Sequence, residues 1–189
     1  MKNNFTLLFF FLSITGFSQS MESLKTETDK MYEASYNLDF ETILDLTYPR
    51  FFQLTSRDAM LNTMEEYYRN KTSKIRFVYP TMHFTYSDIK TIDDRKFCVI
   101  KYKCGMRVTY MQKLTPETAD RILTSMRKNS NTFSTVFEED KNSFFYTGDA
   151  ILIAVSDSLT KGEWRFINYD DVRVFELLFG KNYKTDLGL

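Results

Sequence analysis

The chain contains a single histidine, His83, which is the first candidate for acid–base chemistry. An imidazole gains and loses a proton near neutral pH more readily than any other unperturbed side chain. In the predicted strand around it, His83 shares a face with Thr85 and Ser87, whereas Met82 and Phe84 occupy the apolar face. This pattern puts His83 on the more polar face. A catalytic histidine is one interpretation of this position, and a hydrogen-bonded surface histidine is the alternative. A lone histidine without a supporting motif does not define a Ser-His-acid triad.

Asp149 is the second candidate. A carboxylate enclosed by apolar groups holds its proton more tightly and can act as a general acid or base. Asp149 directly follows Gly148, so a surface turn or a strand irregularity explains it equally well. The adjacent pairs Asp93–Asp94 and Asp170–Asp171 flank the ends of predicted elements, which favours turn and helix-cap roles for them.

Cys98 and Cys104 lie six positions apart on one predicted strand. At ~3.3 Å per residue their Cα atoms would be roughly 20 Å apart, beyond the ~7 Å limit for a disulfide. We therefore expect no intramolecular disulfide. Nothing near Cys104 in the sequence supports a nucleophilic thiolate, and one histidine without a cysteine cluster argues against zinc. The chain has no glycine-rich phosphate loop, so the sequence predicts neither a metal nor a cofactor.

Aromatic residues make up 16% of the chain, enough to line a pocket or an interface as well as a core. The candidate ligand-binding residues are Tyr86, Tyr102, Met106, Tyr110 and Trp164. Core packing is the alternative for each of them. The methionine and cysteine neighbours of the tyrosines would suit an adaptable apolar pocket.

Charge limits the kinds of partner. The chain has 25 basic and 25 acidic side chains, and removal of an N-terminal signal containing Lys2 would leave 24 against 25. A dedicated nucleic-acid-binding protein needs a basic stripe to neutralise phosphates. The nearest candidate, Lys101, Lys103 and Arg107 on one strand face, is interpreted as a solvated face. The sequence therefore predicts no nucleic-acid partner.

Residues 1–20 have the pattern of a secretory signal peptide. Lys2 is their only charged side chain, an apolar run follows from Phe5 to Ile14, and small or polar residues end the segment. A membrane anchor is the alternative, but the apolar run is shorter than the ~20 residues of a spanning helix. We expect cleavage after Ser18 or Ser20 and export to the periplasm or the exterior, with no membrane span left.

The rest of the chain, about 170 residues, is predicted to form one domain over residues 21–180, followed by a loose tail at 181–189. Three amphipathic helices come first, the second capped by Asp39 and the third by Ser56. The spacing then changes to a period of two, and the longest strand carries apolar residues at every second position from Cys98 to Tyr110. A helix beginning near Pro116 precedes three more strands, and Asp171 caps a last helix that Gly180 ends.

Helices come first in this order, which predicts an α+β fold with the helices packed on one side of a strongly curved antiparallel sheet. A strand as long as the central one must bend in a small domain, and Gly105 is the expected bend or bulge. Helices on a bent sheet form a cone whose mouth is a natural pocket.

Two segments resemble the NTF2-like superfamily, which includes ketosteroid isomerases and SnoaL-type cyclases. They are residues 37–44, similar to the family's junction between two helices, and the strands at 146–155 and 162–167, similar to its closing strands with an inward tryptophan. The resemblance covers roughly residues 22–170 and implies a cone-shaped fold. Family members that transfer protons use an acid or a tyrosine in the cone mouth. The resemblance therefore implies Asp149, Tyr86, Tyr102 and Tyr110 as the candidates for that role in this chain. The helix at 116–129 departs from the family pattern.

From these observations we expect a non-enzymatic exported domain that binds a small apolar ligand or a protein partner, including a homodimer through the sheet face. The alternative is a cofactor-independent isomerase or hydro-lyase that uses Asp149 or His83 with a tyrosine. The third hypothesis is a stress or envelope structural protein without a pocket.

Overall fold

The computed structural model describes residues 21–129 and 133–189. The predicted signal peptide lies outside the described residues. The helices are α1 (Met21–Asn37), α2 (Phe40–Leu46), a 3₁₀ helix (Pro49–Gln53), α3 (Arg57–Tyr68), α4 (Pro116–Asn129), a short 3₁₀ turn (Glu139–Lys141), α5 (Val172–Phe179) and α6 (Asn182–Leu187). The strands are β1 (Ser73–Phe77), β2 (Phe84–Tyr86), β3 (Lys90–Ile92), β4 (Arg95–Tyr110), β5 (Phe133–Glu138), β6 (Ser143–Ser156) and β7 (Arg165–Asn168).

The seven strands form one antiparallel sheet built around the β4–β6 pair. The two strands stay paired from Lys96–Ser156 to Thr109–Ser143. The outer side of β4 pairs in turn with β3, β2 and β1, and the outer side of β6 pairs with β7 and β5. The predicted α+β class with N-terminal helices is therefore confirmed.

The predicted strong curvature and the predicted bulge at Gly105 are wrong. Gly105 pairs with Thr147 in unbroken register, and the sheet is not strongly curled. The short strands β3, β2 and β1 pair with successive parts of β4. The long strand therefore fits into the domain without the sheet curling into a cone. The glycine is needed for a close approach, because a Cβ atom there would lie 2.9 Å from Cζ of Tyr79.

Apolar side chains cover both faces of the central strands. Cys98, Ile100 and Phe166 belong to a first core with α1 and α2. Phe97 and Val99, which point to the opposite face, belong to a second core with α5 and α6. Helices therefore cover both faces of the sheet, and the prediction that they pack on one side is wrong.

Residues 181–189, expected to be a loose tail, contain α6. Tyr183 and Leu187 are buried in the second core. The Tyr183 hydroxyl donates a hydrogen bond to Asp93 Oδ2 at 2.8 Å, and Lys90 Nζ donates to the Asp186 carbonyl at 2.7 Å. This helix was not predicted because the segment has no long apolar stripe. Only two of its side chains are buried in the core.

Three predicted helix caps are confirmed. Asp39 accepts a hydrogen bond from the Thr42 backbone N–H, Ser56 from that of Ala59, and Asp171 from that of Arg173. These local signals depend on few neighbours, which is why they can be predicted from the sequence.

Cys98 and Cys104 are both buried free thiols on β4. Within residues 21–129 and 133–189, no helix combines the length and apolar character that crossing a membrane requires.

We predict that Leu187→Ala lowers the free energy of unfolding by about 2–3 kcal/mol, because it removes a buried side chain that fastens α6 to the sheet. The matched control is Leu177→Ala on α5, where the leucine is 69% exposed and a change within about 0.5 kcal/mol is expected. Urea unfolding of both variants measures the difference. Equal losses would show that α6 is not packed as described.

Candidate functional site

A cavity of about 300 Å³ lies between the N-terminal helices and the segment that joins β7 to α5. We call it the helix–sheet cavity. Its lining residues are Met31, Ile43, Thr47, Phe51, Met60, Met64, Tyr68, Phe166, Ile167, Asn168, Asp170, Asp171 and Val174. The lining is mainly apolar, and most of its polar side chains come from residues 168–171.

The cavity exists because α3 does not pack tightly on the sheet. None of the α3 side chains is fully buried, and three of its residues, Met60, Met64 and Tyr68, line the cavity. These side chains face the cavity at intermediate exposure. Methionine is flexible and polarisable, so this wall can adapt to different occupants.

The opposite wall is held by contacts between the end of α2 and β7. The Tyr48 backbone N–H donates to the Phe166 carbonyl at 3.0 Å, and Thr47 and Phe166 form a parallel bridge. The Tyr48 hydroxyl donates to the buried Asp157 carboxylate at 2.6 Å, and Arg95 Nε lies 3.8 Å from the same carboxylate. These contacts fix the spacing between the helical layer and β7.

A smaller pocket of about 20 Å³ adjoins the helix–sheet cavity, since Met31 and Asn168 line both. It has room for about one water molecule. Its other lining residues are Thr28, Tyr32, Ser35, Phe84, Tyr102 and Leu152. The Tyr32 hydroxyl donates a hydrogen bond to the Tyr79 carbonyl at 2.8 Å.

Asp170 and Asp171 lie at the cavity mouth with opposite electrostatic surroundings. Hydrogen bonds from the Arg173 side chain and backbone lower the pKa of Asp171 to about 2. Asp170 keeps an exposed surface, yet enough protein surrounds its carboxyl for burial, and then the Asp171 charge, to raise its pKa. Two carboxyl groups whose pKa values are driven apart are the usual basis for dividing acid and base roles.

The Asp170 carboxylate also acts on groups deeper in the domain. Burial, with the Asp170 charge as a smaller cause, raises the pKa of Tyr68 to about 12 and that of Cys104 to about 11. The pKa of Tyr102 is raised mainly by burial as well, with Cys104 and then Asp170 contributing. These phenols and the thiol therefore remain protonated at neutral pH.

The predicted acid–base residues lie elsewhere. His83 is exposed just before β2, and Asp149 is exposed on β6 opposite Lys103. Neither lines the helix–sheet cavity or the smaller pocket.

Of the predicted ligand-binding residues, only Tyr102 lines either of these two spaces. Tyr86 packs at the edge of the first core, with Lys25 Nζ 5.9 Å from its ring centroid. Met106 is half-buried opposite Phe77 on β1, and the Tyr110 ring packs on Phe144. Trp164 is fully buried in the first core, which agrees with its packing alternative.

Asp170 is the site residue that the sequence did not single out. Interpreting the pair as caps was correct for Asp171, which begins α5. Because the Asp171 side chain caps α5, Asp170 is left without a local hydrogen-bond partner. That asymmetry within an adjacent pair is the signal that could have drawn attention to Asp170.

The site combines an apolar chamber, an amide at Asn168 and one carboxyl that can hold or release a proton. Within the described residues, no group of three or more His, Cys, Asp or Glu side chains is arranged to hold a metal ion. Comparison with protein-family models finds no match, and comparison with curated proteins finds none either.

We predict that, of this pair, Asp170 is protonated before Asp171 as the pH falls, and that Asp171 titrates near pH 2. Because its pKa is lowered on folding, Asp171 stabilises the protein above its ordinary pKa, and that stabilisation disappears as the pH falls toward 2. Asp170 has the opposite sign, so its protonation favours the folded state. Carboxyl ¹³C NMR checks this order, and Asp170→Asn and Asp171→Asn assign the two signals. Coincident titration near the ordinary aspartate pKa would contradict the prediction.

Proposed function

We propose that this protein binds a small, largely apolar molecule in the helix–sheet cavity. The observation that carries the proposal is an accessible chamber of about 300 Å³ with three methionines and three aromatic rings in its lining. This volume is at the lower end of the range for ligand pockets, and an apolar lining with a few grouped polar atoms is their usual composition.

The filled core limits the depth of binding. Trp164 and Phe166 are fully buried, and the pocket beside Tyr102 has only about 20 Å³. The ligand would therefore occupy the space beneath α3, with its polar end toward residues 168–171. The proposal includes export of the protein and membership of the NTF2-like superfamily, supported by the N-terminal pattern, the sequence resemblance and the α+β layering.

We predict that the neutral fluorescent probe N-phenyl-1-naphthylamine binds the protein with enhanced emission, and that Met64→Trp weakens binding at least tenfold. The larger indole fills the chamber and displaces the probe. The matched control, Met111→Trp, adds the same group at a position that is 56% exposed and outside the cavity lining.

Unchanged binding in Met64→Trp would refute the site. If neither this probe nor a set of smaller apolar probes binds, the ligand-binding proposal fails. Binding of a protein, including a second copy through the sheet face, then becomes the better proposal.

Cofactor-independent proton transfer is a second candidate, favoured by the position of Asp170. A carboxyl with a raised pKa at the mouth of an apolar chamber is suited to general acid–base catalysis. Asp170 would replace His83 and Asp149 in the role expected from the sequence.

We predict that, if this candidate is correct, the protein accelerates exchange of the α-hydrogens of cyclohexanone in D₂O, followed by ¹H NMR. Asp170→Asn should remove the acceleration, because an amide cannot accept the proton. Asp186→Asn, at an exposed position on α6, should leave it unchanged. Equal rates with and without protein would exclude this activity toward a simple ketone.

A further inference from the structure

The charges around the helix–sheet cavity are unbalanced. Among the described residues, its lining and that of the smaller pocket contain two carboxylates and no lysine, arginine or histidine. Asp171 is compensated by Arg173, whose Nη2 lies 2.8 Å from Oδ2 and whose Nε lies 3.1 Å from Oδ1. Asp170 forms no hydrogen bond or ion pair with any residue of the described ranges.

The arginines on or next to α3 do not supply the missing charge, because they have other partners. Arg57 pairs with Glu41 and Asp45 at 2.7 and 2.8 Å. Arg69 donates to the Leu38 carbonyl at 3.2 Å, and its guanidinium lies 5.0 Å from the Phe40 ring centroid. One anionic group thus lines an apolar chamber without a counter-ion among the residues that the structure describes.

The walls of the chamber suit a cation with an apolar body. Phe51 and Tyr68 provide partly exposed aromatic rings, and Met60 and Met64 provide polarisable sulfur atoms. Aromatic faces attract organic cations, most strongly when the cation is weakly hydrated. An anionic ligand would instead meet the uncompensated Asp170 carboxylate.

From this geometry we infer that the ligand of the helix–sheet cavity is a lipophilic cation, an apolar group carrying an ammonium, with the Asp170 carboxylate as its counter-ion. The inference rests on the proposed ligand-binding function and narrows its ligand class.

The other titratable groups around Asp170 do not change their charge between pH 4 and 8, so they do not alter the binding of a cation in that range. Tyr32, Tyr68, Tyr102 and Cys104 have raised pKa values and stay neutral, and Asp171 stays ionised with Arg173 beside it.

The test compares two molecules of the same shape, phenyltrimethylammonium and tert-butylbenzene. Both have ten non-hydrogen atoms, and they differ in charge at one centre. Their affinities are measured by displacement of N-phenyl-1-naphthylamine at pH 7.5 in low salt. For the wild-type protein we expect the cation to bind about tenfold more tightly than the neutral molecule, consistent with one close, partly solvated ion pair.

Asp170→Asn should abolish this preference and leave the affinity for tert-butylbenzene within about twofold, because the amide preserves shape but removes charge. Asp186→Asn removes the same charge from the exposed surface of α6 and should retain the preference. In the wild-type protein, lowering the pH through the Asp170 titration should weaken binding of the cation only. Matching urea midpoints establish that the variants are folded.

The outcomes separate the two proposals. If the wild-type protein binds both molecules equally, or if its preference survives Asp170→Asn, the cation inference is overturned and the apolar cavity remains a binding site. If the wild-type protein binds neither molecule nor the fluorescent probe, the binding function itself is refuted and the inference falls with it.

Discussion

The β4–β6 ladder is the constraint on which the other elements depend. It pairs the strands over fourteen positions without interruption, and the residues toward one of its ends are buried on both faces. Strands covered on both sides need apolar side chains at consecutive positions, as in residues 97–100 and 152–155. The first core attaches the N-terminal helices to one face, and the second attaches the C-terminal helices to the other. A shift of one residue in this register would turn every buried side chain toward the wrong layer.

The helix–sheet cavity follows from how the layers meet at the edge of that ladder. The α2–β7 contacts and the Tyr48–Asp157 hydrogen bond hold the wall beside α2, while α3 lies over the gap without a fully buried side chain. Closing the gap with larger residues would increase buried apolar area and stability. Loose packing and an uncompensated carboxyl in one place are departures from stability rules of the kind expected at a functional site.

Local features could be predicted from the sequence, whereas features set by distant residues could not. The caps at Asp39, Ser56 and Asp171 and the period-two pattern of β4 depend on neighbours within a few positions. The uninterrupted pairing of β4 through Gly105 depends on β1, β2 and β3 sharing its edge and on the Tyr79 ring, 26 positions earlier in the chain. Likewise, Asp170 becomes a site residue because β7 brings it beside helices that come more than 100 positions before it.

The burial of α6 also determines when the domain can finish folding. Tyr183 and Leu187 follow every strand in the chain, yet they complete the core that covers Phe97 and Val99. Tyr183 reaches back 90 positions to Asp93 at the β3–β4 turn. During synthesis, that face of the sheet stays uncovered until α6 has left the ribosome, and transiently exposed apolar surface makes an incomplete chain prone to aggregation. Completion of this face therefore depends on contacts between residues far apart in the chain, which slows folding compared with a domain held together by local contacts.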